Sequence, residues 1–229
     1  LIALASDFVI ERDFTTVIKE KKIDFFVNRI KSYDPLTREN LIKMSEEITN
    51  VTNEILPNEK IDCVVYGCTS GTIASGFSSI ERKIKDAKPL SKVTTPSSAA
   101  ISALKKLNIK KISIFTPYPK KLNDEVVSFF KNEKFDVTAN AYLDIESDSD
   151  IWKVDPDFLY EVLINMDHAA ADAVFISCTA LPVLQIIKKL ETNLNKFVLS
   201  SNQVLIWDTL EKIGQNNSIT GFGKLFTSN

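Results

Sequence analysis

One histidine, three cysteines and no long apolar run set the first limits on this 229-residue chain. A single histidine argues against zinc sites and against Ser-His-Asp triads, both of which draw on imidazole. Three cysteines make an odd number and a poor disulfide framework, so reduced thiols in a cytoplasmic setting are expected. No apolar stretch reaches ~18 residues, so no membrane association is expected. An excess of one charge is lacking too. The chain carries 28 basic and 30 acidic side chains, which leaves no electrostatic footprint for nucleic acid or an anionic membrane. The opening Leu1-Ile2-Ala3-Leu4-Ala5 has no basic flank and is too short for a secretory signal; it reads as a first strand whose start has been trimmed.

What is present is the composition of an ordinary soluble globule, 44% hydrophobic and 25% charged, long enough for one large domain or two small ones. Short apolar runs at 1–5, 23–30, 61–66, 111–115, 135–142, 173–177 and 197–199 read as strands. Helical patterns fall between them at 36–55, 97–107, 120–131, 156–169, 182–190 and 203–213. Pro156 and Pro182 stand where a first helical turn tolerates proline. This alternation, with short connections and no low-complexity linker, predicts an α/β fold with mainly parallel sheets.

The chain also repeats itself. Residues 61–72 read IDCVVYGCTSGT and residues 171–182 read ADAVFISCTALP, aligning Asp62 with Asp172, Val64 with Val174, Cys68 with Cys178 and Thr69 with Thr179 at an offset of 110. The same offset lays LIALASDF over KISIFTPY at 111–118. Two segments holding one offset predict two pseudo-symmetric halves, 1–94 plus 200–229 and 95–199, with an active-site cleft between them. Chemistry in such α/β units gathers at the carboxyl ends of the strands, so both Cys-Thr corners and the strand ends at Ser6-Asp7 and 116–118 should face that cleft.

A lone cysteine at a strand end is ordinarily a small buried hydrophobe. Two of them, each in a Cys-Thr pair at a strand-to-helix turn and related by the repeat, point to chemistry instead. A thiol over a helix start is expected to favour thiolate. Gly67 and Gly71 permit tight backbone geometry, and Thr69, Ser70 and Thr179 add hydroxyls for a carboxylate or an enolate-like oxyanion. Two thiols on opposite walls can serve as acid and base, or as nucleophile and acid. Cys63, inside its strand, reads as core.

The stretches VVYGCTSGT, TTPSSAAISALKKLNIKKISIFTPY, FISCTALP and SSNQVLIWDTL, in that order, resemble the Asp/Glu/hydantoin racemase superfamily. Within it they resemble the maleate cis-trans isomerase and arylmalonate decarboxylase branch, and LIALASDF with YGCTSGT resembles its ectoine-utilisation subgroup. The resemblance implies a cofactor-independent enzyme, metal-free, with a possible homodimer usual for the family. It implies that Cys68 is the first-half nucleophile or base and Cys178 the second-half proton donor or acceptor. Thr69, Ser70 and Tyr118 match groups that hold a substrate carboxylate. Both cysteines are kept, as in the isomerases and racemases; the decarboxylases replace the first.

Two positions depart from the maleate isomerase pattern. Asp7 and Asp148 stand where those enzymes carry asparagines. An amide can hold a carboxylate, whereas an ionised aspartate repels it and prefers an ammonium or amidinium. The expected substrate is therefore a small carboxylate that also carries a cationic nitrogen, such as an amino acid, ectoine or hydroxyectoine. The alternatives are an arylmalonate-type decarboxylase and a non-catalytic accessory protein that binds a small ligand. Among other residues, the acidic run 144–150 reads as a solvated loop or as a lid carrying Asp148. His168 reads as a helix-end or surface histidine, Trp152 and Trp207 as packing anchors, and Ser201-Asn202 as a helix N-cap.

Overall fold

The computed structural model describes residues 1–215 and 218–228; residues 216, 217 and 229, within the expected 200–229 segment, lie outside the described residues. Two four-stranded parallel sheets form the frame. The first has the order β2-β1-β3-β4, with β1 Ile2–Leu4, β2 Asn28–Ile30, β3 Cys63–Gly67 and β4 Lys92–Thr94. The second repeats that order as β6-β5-β7-β8, with β5 Lys111–Thr116, β6 Asp136–Tyr142, β7 Ala173–Ile176 and β8 Phe197–Ser200. The central strands are apolar on both faces, as buried parallel strands must be: Ile112, Ile114 and Phe115 of β5 and all of β7 are fully buried. Each large buried side chain of this kind contributes roughly 1.5–3 kcal/mol.

Eleven helices among the described residues cover and join the sheets. In the first half these are α1 Ile10–Ile18, α2 Arg38–Ser45, α3 Ile48–Asn53, α4 Thr69–Ser75 and α5 Phe77–Ala87. Then follow α6 Pro96–Lys106, α7 Lys120–Asn132, α8 Asp148–Ile151, α9 Pro156–Asn165, α10 Ile187–Leu194 and α11 Ser201–Lys212. Local chemistry explains their starts. The Thr37 hydroxyl caps α2, and Asp155 caps α9 with Pro156 in the first turn. Thr95 with Ser98 opens α6, and Ser200 with Gln203 opens α11, in reciprocal capping boxes. The capping residue of α11 is thus Ser200, not Ser201-Asn202, whose side chains are left for other contacts.

Helices α6 and α11 pack on each other, and α11 also reaches α1, β3 and β4. Val204, Leu205, Ile206, Trp207 and Leu210 are buried around α11, as a helix enclosed on all sides requires. Both sheets therefore share one apolar core. Trp207 serves as the expected anchor there, 4% exposed, and Cys63 is half-buried against the core. His168 is buried rather than on the surface: its Nε2–H donates to the Leu163 carbonyl at 2.6 Å, leaving Nδ1 to accept from the Ser113 hydroxyl at 2.7 Å. No helix among the described residues is long and apolar enough to cross a membrane.

Candidate active site

The two thiols close equivalent strands. Cys68 follows β3 and is the N-cap of α4, its sulfur accepting the Gly71 N–H at 3.2 Å. The Ser70 hydroxyl lies 3.8 Å from the same sulfur. A β-carbon at position 71 would come within 2.8 Å of both that sulfur and the Tyr66 hydroxyl, so α4 can begin this closely over the thiol only with glycine there. In the other half, Ser177 still bonds to β5 through the Phe115 carbonyl. The chain then turns at Cys178, whose φ of +120° is rare for a residue with a β-carbon and stores about 1–3 kcal/mol of strain. Its N–H leaves the ladder and donates to Ser201 Oγ at 3.0 Å. The Ala180 N–H and the Tyr118 hydroxyl turn toward its sulfur. Each cysteine is 4% exposed.

Hydroxyls stitch the two corners together. Thr69 Oγ1 lies 2.8 Å from Ser201 Oγ, and the Thr179 hydroxyl donates to the Gly67 carbonyl at 3.2 Å. The Thr179 hydroxyl thus reaches across to the first half, where it also faces the Asp7 carboxylate. Ser70 and Tyr118, whose hydroxyls lie against the thiols, are the ones able to turn toward a bound carboxylate.

The acids converge from both halves. Asp7 Oδ1 accepts the N–H groups of Val9 and Ile10 at 2.7 and 2.9 Å, supporting the start of α1. Its Oδ2 is buried without a partner among the described residues. Arg29 donates to the main-chain carbonyls of Leu4 and Asp7 and to Glu11, not to the Asp7 carboxylate. Asp148 is buried in an otherwise partly exposed acidic run and accepts from the Ser6 hydroxyl. The main chain of that run is pinned to the first half: the Asp148 N–H and the Ser147 hydroxyl donate to Asp34, and Leu36 N–H donates to the Glu146 carbonyl. Trp152, just beyond, stacks on Phe8 with ring centroids 4.7 Å apart. Residues 144–150 thus fold against the first half and carry Asp148 there.

Burial and like charge set the protonation. Burial pushes the Cys68 thiol up to about 12, with the Asp148 carboxylate and then Asp7 adding to it against the Gly71 N–H and Ser70. The Cys178 thiol is raised by burial and the same two acids. Asp148 rises to about 6, mainly through burial, with Asp7 and Asp34 adding, and burial raises Asp7 as well. The expectation of thiolates at the helix starts is therefore corrected. At Cys68 desolvation and two nearby carboxyls outweigh the helix-start amides, whereas Cys178 has no helix start over it, the next helical turn beginning only at Leu184; both sulfurs are thiols.

Asp13, Ser201 and Asn202 belong to this region and escaped the sequence reading as site residues. Asn202 Nδ2 donates to Asp13 Oδ2 and to the Thr179 carbonyl, both at 2.8 Å. Asp13 is pushed up to about 7, chiefly by burial. Its signal in the sequence was an acid within the apolar stripe of α1, flanked by buried Ile10, Phe14 and Val17. A separate cavity of about 440 Å³ lies at the opposite, amino end of the first sheet, lined by Leu1, Phe25, Cys63 and Ile206 among others. It does not include either corner thiol. Among the described residues, no group of three His, Cys, Asp or Glu side chains is placed to hold a metal ion.

Known proteins share this arrangement of elements. The chain is 27% identical to a maleate isomerase of Geobacillus stearothermophilus over 221 residues, covering 92% of this chain and 86% of that one. The maleate isomerase Iso of Pseudomonas putida S16 superposes with a TM-score of 0.90 at 22% identity, covering 99% and 96% of the two chains. A mutant of the Nocardia farcinica maleate cis-trans isomerase, bearing a covalently bound succinylcysteine intermediate, superposes with a TM-score of 0.89 at 16% identity over 100% and 97%. These likenesses show that the chain shares its fold with the maleate isomerases. The sequence profile of the arylmalonate decarboxylase family matches residues 61–226, and the chain belongs to that family.

Proposed function

We propose that the protein is a cofactor-independent isomerase or racemase in which Cys68 and Cys178 act on a small carboxylate that carries a cationic nitrogen. The observation that carries this reading is the unpartnered, buried Asp7 Oδ2 in a cleft where, among the described residues, neither Asp7 nor Asp148 forms an ion pair. Leaving two buried carboxyls without a cation is costly unless a ligand supplies one. An ammonium or amidinium seated between them neutralises the charges that, after burial itself, hold both thiols up. Substrate binding thereby removes the carboxylate contribution and lowers both thiols toward the ionised form. Ser70 and Tyr118, with Thr69 behind them, hold the substrate carboxylate.

Two routes use this geometry. In one, a thiolate removes the proton α to the carboxylate and the opposite thiol delivers a proton to the other face. In the other, Cys68 adds to a carbon–carbon double bond while Cys178 supplies the proton, and the adduct rotates before the two steps reverse. The succinylcysteine of the Nocardia relative supports the second route for an unsaturated substrate. Amino acids, ectoine and hydroxyectoine are the substrates of the first.

Proton NMR in D2O tests the reading. Wild type, Cys68→Ala and Cys178→Ala are incubated with chiral amino acids, ectoine, hydroxyectoine, maleate and an arylmalonate. Deuterium at one α position, with a rate loss of about 10²–10⁴-fold in both variants, is the expected result. Faster turnover of maleate than of any zwitterion rules out the cationic substrate. Activity on the malonate that survives Cys68→Ala but not Cys178→Ala establishes the decarboxylase that the family's name describes. Ligand binding without exchange by any variant makes the cleft a binding site only.

A further inference from the structure

We infer that Ser201 is a positioning residue, which holds Cys178 in its left-handed turn and sets that corner against Thr69 of the other half. The inference rests on the reading of Cys178 as a reacting thiol. Three observations converge on it. First, the Cys178 N–H has left the sheet, because the last ladder bond from β7 belongs to Ser177, and Ser201 Oγ is its acceptor at 3.0 Å. Second, the same oxygen lies 2.8 Å from Thr69 Oγ1, so one buried atom touches both Cys-Thr corners. Third, Ser201 has no capping duty, since Ser200 and Gln203 close the capping box of α11. A fully buried hydroxyl in a first helical turn, freed of capping, is explained by what it bonds.

The neighbouring residue strengthens the clamp. Asn202 Nδ2 donates to the carbonyl of Thr179, so consecutive residues of α11 grip the amide of Cys178 and the carbonyl of the residue after it. Asp13 anchors Asn202 in turn from α1 of the first half. Because α11 packs on β3 and β4, the second-half thiol is aligned from the first half. A conformation at φ +120° persists only where its surroundings over-determine it, and here both of its flanking groups are tied.

Alkylation of each thiol, followed by peptide-resolved mass spectrometry across a pH series with methyl methanethiosulfonate and iodoacetamide, tests this in wild type and Ser201→Ala. Loss of the bond frees Cys178 to relax, so its rate should change by about fivefold or more, equivalent to about 1 kcal/mol for one hydrogen bond. Cys68, whose sulfur is held by Gly71 and Ser70 and which meets Ser201 only through Thr69, should change clearly less than Cys178, which a general loosening of the structure would not allow. A Cys178 profile that is unchanged, whether reactive or unreactive in both proteins, overturns the inference. So do a parallel change in both thiols and a loss of native circular dichroism, either of which makes Ser201 merely structural. Turnover by Cys178→Ala would defeat the catalytic reading of that thiol, and it is measured separately from the Ser201 comparison.

Discussion

The Ser6 hydroxyl, at the carboxyl end of β1, donates to the carboxylate of Asp148, on α8 of the other half. This bond places an acid from the 144–150 run beside the acid that follows β1, and Asp7 raises the affinity of Asp148 for protons. On the proposed function, a cleft closed in this way should select a ligand by charge.

Replacing both acids should invert that selection. In the double variant Asp7→Asn, Asp148→Asn, the amides can still accept from Val9, Ile10 and Ser6, so the local fold is kept. Affinity for a zwitterion should fall by about 10- to 100-fold, the loss of one or two charge-assisted hydrogen bonds. Affinity for a dianion such as maleate should rise. Calorimetric titration of both ligands into both proteins checks this; equal affinities before and after would show that the two carboxylates do not read charge.

Stability should depend on pH through Asp13. Its folded pKa of about 7 lies above the ordinary 3.8, so the folded state holds the proton more tightly than the unfolded chain does. Stability is then greatest at low pH within this window and declines as pH rises from 3.8 to about 7, since ν(unfolded) minus ν(native) is negative there. Asp148 adds a decline in the same sense, up to about 6. Asp7 and Glu191, also raised by burial, act in the same sense; Asp13→Asn removes the share of Asp13 and keeps an acceptor for Asn202. Each tenfold difference in proton affinity between the folded and unfolded states is worth about 1.4 kcal/mol. The variant should therefore melt several degrees higher than wild type at about pH 8, above both pKa values, and nearly level with it at about pH 4. Melting curves that stay parallel across that range would contradict the assignment.

Much of this frame was legible in the sequence, and the failures have physical causes. The 110-residue offset anticipated two sheets of one order because a repeated strand-corner-helix unit has few ways to fold. Residues 23–27 read as a strand through Ile23, Phe25 and Phe26, yet pairing with β1 begins only at Asn28, so apolar content there reflects packing and not a ladder. The helix expected at 36–55 divides into α2 and α3 around Glu46-Glu47. Helix α1 escaped because its β-branched Thr15, Thr16 and Val17 weaken the helical signal, and β4 because it has three residues. Within the site, both cysteines stand out through the repeat, whereas the roles of Asp7 and Asp148 rest on the family resemblance. Asn202 and Asp13 are 189 positions apart, and no local signal announces a contact at that separation.

Gly71 gives a sharper test of the first corner than removing its thiol. An alanine there gains about 1 kcal/mol of helix propensity, but its β-carbon meets the Cys68 sulfur and the Tyr66 hydroxyl at 2.8 Å. Both neighbours are fully enclosed, so overpacking should cost about 1–3 kcal/mol and leave stability only modestly reduced. On the proposed role of Cys68, turnover should fall far more than stability, because the displaced atom is its sulfur. Thermal melts and alkylation of Cys68 on Gly71→Ala measure the two effects separately; wild-type turnover in that variant would place the chemistry elsewhere.

The last prediction concerns how substrate enters. Both thiols are 4% exposed, so the lid at 144–150 must open for binding, and its fastenings are few. Toward the first half they are the hydrogen bonds of Asp34 to Ser147 and Asp148, that of Ser6 to Asp148, the Leu36–Glu146 main-chain bond, and the stack of Phe8 on Trp152. Phe8 is 68% exposed and Trp152 36%, so their contact buries little area and breaks at low cost. With Trp207 replaced by phenylalanine, Trp152 becomes the sole tryptophan of the two and its fluorescence reports the stack. In that background Phe8→Ala should make Trp152 more accessible to acrylamide. It should also accelerate alkylation of Cys68 and Cys178 together by about three- to tenfold, the signature of a shared gate with an opening equilibrium shifted by about 1 kcal/mol. Acceleration of one thiol alone would mean that the two are reached by separate routes, and that the lid over Asp148 does not govern entry.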